Sequence, residues 1–133
     1  AKDMQTLKTF REAESWHGPS LIIAYSPCIA HGVDLSNNLT QQQLAVDSGH
    51  WPLYRYDPRR RAEGKNPLQL DSKKPKIPLK DYYRTEARFS MLWRSHPDVA
   101  ERLLEEEQQA VLDRYHHLEQ LASLPVESEE TDA

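Results

Sequence analysis

The chain holds one cysteine in 133 residues, Cys28, in the run Ser26-Pro27-Cys28-Ile29-Ala30-His31-Gly32. A thiolate is the soft donor that zinc and iron–sulfur clusters take. Small residues and a proline beside Cys28 let its side chain face a cofactor. An iron–sulfur cluster normally needs four thiolates. Cys28 can therefore supply one corner, and three more ligands must come from another segment. Without that context a lone cysteine reads as a small buried hydrophobe. Cys28-x-x-His31 has the spacing of half a zinc site, but no second pair follows at a suitable distance. The plainer reading of His31 is a loop histidine bonded to backbone. A single cysteine also rules out an internal disulfide.

Other chemistry-bearing residues point less far. His116 and His117 are adjacent on a helical stretch, where successive side chains diverge by about 100°, so they cannot chelate together. Asp47-Ser48-Gly49-His50 contains the residue types of a catalytic triad, but triads assemble in space rather than along the chain, and a turn is the better reading. Arg59-Arg60-Arg61 and Lys73-Lys74-Pro75-Lys76 are basic clusters. They read as solvated loops or as contacts for an anionic cofactor or an acidic partner. The four glycines, at 18, 32, 49 and 64, are isolated, so no phosphate-cradling loop exists.

The elements that must position Cys28 follow from periodicity. Met4, Leu7 and Phe10 recur at helical spacing, and Gly18-Pro19 is a stop signal, which predicts a helix over 2–15. Ser20-Leu21-Ile22-Ile23-Ala24-Tyr25 is a continuous apolar run with β-branched residues, the pattern of a strand buried on both faces. Helix, turn and buried strand make half of a βαβ unit, and Cys28 falls in the loop at the strand's C-terminal end, where open α/β sheets bind ligands. Such a strand needs flanking strands to satisfy its backbone, and the rest of the chain offers no second run like it. A short helix is expected over 39–48. Residues 50–80 hold five prolines and few periodic apolar positions, which predicts an extended strap with a short strand near Leu53–Tyr56, lying over another surface. Ser95-His96-Pro97-Asp98 reads as a helix start with Ser95 as its cap. Ala100, Leu103, Leu104, Val111, Tyr115, Leu118 and Ala122 then continue an amphipathic helix to about 121. Residues 125–133 are acidic and expected to be disordered.

The totals bound the function classes. Only 38% of residues are hydrophobic and mean hydropathy is -0.83, a thin core for a free-standing domain. Residues 1–96 carry 15 Lys/Arg against 10 Asp/Glu, and residues 97–133 carry 2 against 11, giving -4 overall. An acidic tail on a mildly basic body, with no dense basic helix interleaved with aromatics, does not describe a nucleic-acid binder. The start lacks the apolar run of a signal peptide, and nothing approaches the roughly 20 apolar residues of a membrane span. Cytoplasm is the expected compartment.

Three long strings carry a resemblance. Gly18 to Gly32, Asp47-Ser48-Gly49-His50-Trp51-Pro52-Leu53-Tyr54-Arg55-Tyr56, and Gly64-Lys65-Asn66-Pro67 followed by Gln69-Leu70-Asp71-Ser72-Lys73-Lys74-Pro75 closely resemble the C-terminal region of the pyruvate:ferredoxin (flavodoxin) oxidoreductases. The resemblance covers about residues 1–122. It implies an α/β fold: the C-terminal portion of a doubly wound thiamine-diphosphate-binding domain over 1–49. A proline-rich extended strap with a short helix then covers 50–94, an amphipathic helix 95–124 and a disordered acidic tail 125–133. It implies oxidative decarboxylation of pyruvate to acetyl-CoA, with thiamine diphosphate, magnesium and three [4Fe-4S] clusters in the complete enzyme. Electrons pass to ferredoxin or flavodoxin. Cys28 matches the cysteine that completes the cluster nearest the thiamine, and no residue matches a catalytic acid or base. The thiamine motif and the other three ligands are not in this chain, so the fragment alone is expected to be inactive and to hold no cofactor. The implied partners are the remainder of the polypeptide, the electron carrier, coenzyme A and a second copy of the complete enzyme. Two alternatives stay open: a stand-alone interaction module using the long helix and acidic tail, and a related 2-oxoacid oxidoreductase with another substrate.

Overall fold

The computed structural model describes residues 2–126. Five α-helices and one two-stranded sheet follow in the order α1 (Asp3–Glu14), α2 (Asn38–Asp47), β1 (Tyr54–Tyr56), β2 (Leu68–Leu70), α3 (Leu79–Tyr83), α4 (Ala87–Ser95) and α5 (Pro97–Ser123). The described chain is thus rich in helix, with a small sheet and a long C-terminal helix.

α5 is the backbone of the packing. Pro97 occupies its first turn, where a missing N–H costs nothing, and Asp98 lies at the positive end of the helix dipole. Ala100, Leu104, Val111 and Tyr115 are buried along one face, a spacing of four, seven and four that keeps one stripe toward the core. Ser95 is not the cap. It ends α4, where its hydroxyl donates to the Met91 carbonyl at 3.1 Å, and His96 precedes the helix without a side-chain cap. The serine's own helix claims its hydroxyl before the next helix can.

The centre of the core comes from the proline-rich stretch. Leu79, Tyr82 and Tyr83 of α3 are buried together with Ala45, Leu104 and Val111, and Trp51, Phe89, Trp93 and Tyr25 pack around them. Tyr83 and Phe89 stack at 3.8 Å between ring centroids. The expected strap is therefore more structured than composition suggested. β1 and β2 pair antiparallel, with Arg55 opposite Gln69, and α3 and α4 follow. Asp57 and Gly64 shape the connection between the strands. Asp57 accepts from the Arg59 amide at 3.0 Å, and Gly64 closes the turn at φ 66°.

α1 buries no side chain. Polar contacts hold it instead. Arg55, itself buried, grips Asp71 at 2.8 and 3.0 Å and pairs with Glu12 of α1. Gln5 of α1 donates to Asp71 at 3.1 Å. The helix's apolar face, Met4, Leu7 and Phe10, is exposed.

The run 20–25 is a correction to the expected buried strand. It forms no strand in this chain, and Leu21 and Ile23 are 85% and 68% exposed. Strand formation is a property of a pair, and among the described residues no neighbouring strand lies beside it. The acidic tail expected over 125–133 falls, from residue 127 on, outside the described residues. No helix among the described residues is long and apolar enough to cross a membrane.

Candidate functional site around Cys28

Cys28 is free and half-buried. It stands in extended conformation at the head of a short 3₁₀ turn, Ile29–His31, whose His31 amide donates to the Cys28 carbonyl at 3.0 Å. Ile29 beside it is 72% exposed. The turn ends in Gly32 at φ 72°, a left-handed conformation that favours glycine.

The loop is fastened on both sides of the cysteine. Before it, the Tyr25 hydroxyl meets Tyr82 at 3.0 Å and donates to Glu86 at 3.2 Å, while the Tyr25 ring lies 5.8 Å from that of Trp51. After it, Gly32 packs on Ala87 at the start of α4: a Cβ on Gly32 would stand 2.1 Å from the Ala87 Cβ. The Ala87 amide donates to the Gly32 carbonyl at 3.4 Å.

Glu86 is the hub beneath this loop. Its residue is 1% exposed. Its carboxylate accepts from Gln41 at 2.9 Å and from Tyr82 at 2.8 Å, besides Tyr25 and Arg88. Burial alone would raise the carboxyl pKa, but the hydrogen bonds from Tyr82, Arg88 and Gln41 outweigh it and hold the group below its usual value. Burial and the neighbouring Tyr25 and Glu86 push the Tyr82 phenol well above its ordinary value. These residues are a fixed, fully protonated set of donors around an ionised acceptor.

The other candidates of the sequence do not assemble. Asp47 accepts from Gln43 at 2.7 Å, Ser48 donates to the Ala45 carbonyl at 3.3 Å, and His50 Nδ1 is buried without a hydrogen-bond partner among the described residues. No proton relay links them. His31 is not joined to a second ligand set, and no group of three or more His, Cys, Asp or Glu able to hold a metal occurs among the described residues. His116 and His117 are exposed on α5. The two basic clusters part ways. Arg59 is bound to Asp57 and Ser15, and Arg60 to the Asn66 carbonyl, so both tie the fold together. Lys73, Lys74 and Lys76 instead line an open groove of about 710 Å³ together with Lys2, Lys8 and the carboxylates Asp3, Asp47 and Asp71, and Lys76 pairs with Asp47 at 3.8 Å.

The hub was missed by sequence reading. Tyr25 carried a usable signal, since a tyrosine closing a buried apolar run needs a partner for its hydroxyl. Glu86 and Gln41 carried none: Tyr82 and Arg88 are local to Glu86, but its meetings with Gln41 and Tyr25 span 45 and 61 positions.

As a thiol donor Cys28 fits one corner of an iron–sulfur cluster, and the chain has no second cysteine to supply another. No protein-family model matches the chain. Among curated proteins it is 53% identical over 126 residues to a pyruvate-flavodoxin oxidoreductase of Trichormus variabilis, covering 95% of this chain and 11% of the relative. It is 50% identical over 123 residues to a pyruvate-flavodoxin oxidoreductase of a Nostoc species, covering 92% and 10%. It is 42% identical over 121 residues to a pyruvate:ferredoxin oxidoreductase of Moorella thermoacetica, covering 89% and 10%. Over nearly all of its length, the chain is a homologue of one segment, about a tenth of the whole, of the pyruvate-flavodoxin and pyruvate:ferredoxin oxidoreductases.

Proposed function

We propose that the chain works as part of a larger 2-oxoacid oxidoreductase, which decarboxylates pyruvate oxidatively, forms acetyl-CoA and sends the electrons to flavodoxin or ferredoxin. The observation that carries this reading is the identity of about half over almost the entire chain to relatives with those names. The exposed apolar residues support the larger assembly. Leu21 and Ile23 of the unpaired run, and Met4, Leu7 and Phe10 of α1, present a surface that isolated proteins rarely leave open. The remaining nine-tenths of the polypeptide, including the thiamine-diphosphate and magnesium site, supplies what covers it and carries out the decarboxylation. The complete enzyme works in the cytoplasm as a homodimer, and coenzyme A accepts the acetyl group.

Within that enzyme Cys28 is one thiolate ligand of a [4Fe-4S] cluster, whose other three ligands come from elsewhere in the polypeptide. The cluster, when bound, carries electrons one at a time. The chain's own part is to present the half-buried sulfur at a fixed place. The segment holds no acid or base for the chemistry and does not catalyse alone. The lysine groove is the surface that meets an acidic partner.

The test is Cys28→Ser in the complete polypeptide, with iron counted per chain and turnover measured with pyruvate and coenzyme A. The expected result is loss of one cluster's iron and of most electron transfer, with the fold kept. Normal iron content together with normal turnover would remove Cys28 from the ligand set.

A further inference from the structure

We infer that the buried Tyr25–Tyr82–Glu86–Gln41 network positions Cys28, with Tyr25 and Glu86 as positioning residues for the sulfur. The inference rests on the reading of Cys28 as a cluster ligand and adds to it the device that holds the ligand in place.

The need for such a device is visible in the backbone. Residues 19–28 belong to no helix and no ladder, so hydrogen-bonded secondary structure does not locate the cysteine. What does locate it is a pair of anchors. Tyr25 lies three residues before Cys28 and Gly32 four residues after it. Tethers this short hold the sulfur within about 10–14 Å of each anchor. Both anchors converge on one place, the residue pair Glu86–Ala87 at the head of α4: Tyr25 on the Glu86 carboxylate, Gly32 on the Ala87 backbone and methyl. Val33, next along, is buried at 6% exposure and continues the hold.

The choice of a carboxylate there has a positional logic. Burying a charge is costly and gains little stability over an apolar filling of the same volume. What a carboxylate adds is direction. Its oxygens take donors from three separate elements: Tyr25 of the loop, Gln41 of α2 and Tyr82 of α3, with Arg88 of α4 completing the set. Gln41 is itself fixed by the Thr85 hydroxyl at 2.6 Å. The Tyr25 ring is also clamped edge-on to Tyr82, at 6.5 Å and 69° between rings. Tyr25, Tyr82 and Gln41 all meet the same carboxylate oxygen, Oε1, while Arg88 holds the other, so the loop is fastened to a single atom.

The experiment uses the complete polypeptide with Tyr25→Phe, and Tyr83→Phe as a control. Tyr83 is in the same core, stacked on Phe89, and its hydroxyl has no hydrogen bond among the described residues. Two readouts are taken. One is the rate of alkylation of Cys28 by iodoacetamide in the iron-free polypeptide, followed on the peptide that contains it. The other is the midpoint potential and paramagnetic resonance spectrum of the cluster in the loaded enzyme. Removing the hydroxyl, and with it the contacts to Glu86 and Tyr82 that hold the loop, is expected to speed alkylation roughly fivefold and to alter the cluster's spectrum, with Tyr83→Phe changing neither. Tyr25→Phe matching the control in both readouts overturns the inference. Alkylation answers whether or not Cys28 holds iron, so a failure of the ligand assignment, seen in Cys28→Ser, is read separately. Glu86→Gln is the second variant: it is expected to reproduce the Tyr25→Phe shift, and should it fail to fold, Tyr25→Phe alone decides.

Discussion

Gly32 and Ala87 are 55 positions apart and touch so closely that the glycine has no room for a side chain: the missing Cβ would lie 2.1 Å from the Ala87 Cβ. Gly32 also holds φ at 72°, so both space and backbone select glycine. Gly32→Ala is expected to cost about 3 kcal/mol, combining the left-handed penalty with overpacking. Urea denaturation measures it, and a loss below about 0.5 kcal/mol would mean that the loop leaves Ala87 without consequence.

His50 makes stability depend on pH. Burial, with help from the nearby Arg114, holds its pKa below the ordinary imidazole value, against a smaller opposite pull from Glu86. The unfolded chain therefore binds a proton at a higher pH than the folded one. Stability contributed by neutral His50 is complete above the ordinary value near 6.5, and falls as pH drops from there toward the lowered folded value. His50→Phe, which keeps the ring against Tyr82 at 4.7 Å in the parent, should flatten the stability profile between pH 7 and pH 5. An unchanged slope in the variant would assign the acid sensitivity to other groups.

Arg55 decides whether α1 stays docked. No side chain of that helix is buried, and the guanidinium ties it to the hairpin through Glu12 while gripping Asp71. Arg55→Ala leaves two partly buried carboxylates without their cation, at a cost of about 3 kcal/mol. Amide hydrogen exchange should show α1 opening far more readily while α5 keeps its protection. Equal protection of α1 in parent and variant would mean that contacts other than Arg55 hold it.

The lysine groove is expected to act on encounter rates. In the complete enzyme, Lys73→Glu with Lys74→Glu should slow electron delivery to an acidic flavodoxin roughly tenfold at low salt, with the difference shrinking as ionic strength rises. Stopped-flow reduction of flavodoxin at several salt concentrations measures this. A rate indifferent to the reversal at low salt would place carrier docking on another surface.

Much of the helical content was legible because it is local. Met4, Leu7 and Phe10 marked α1, and Ala100, Leu104, Val111 and Tyr115 marked α5, since a 3.6-residue period writes an apolar face directly into the sequence, although only the face of α5 is buried in this chain. The fastening of the Cys28 loop was not legible. Tyr25 and Gln41 reach Glu86 across 61 and 45 positions, and no spacing rule encodes a meeting of that kind. The run 20–25 shows the same limit from the other side: its residues are apt for a strand, yet among the described residues no neighbour lies alongside to pair with it. Sequence alone marked α1, α2 and α5, left α3 and α4 inside an extended strap with one short helix, and offered Cys28 as the chain's one thiol donor. Tertiary structure decided that the proline-rich stretch supplies the centre of the core, that Arg59 and Arg60 are internal ties while Lys73 and Lys74 face a groove, and that a buried carboxylate holds the cysteine's loop. Those outcomes depend on contacts between distant residues, whose energies exist only once the chain has closed on itself.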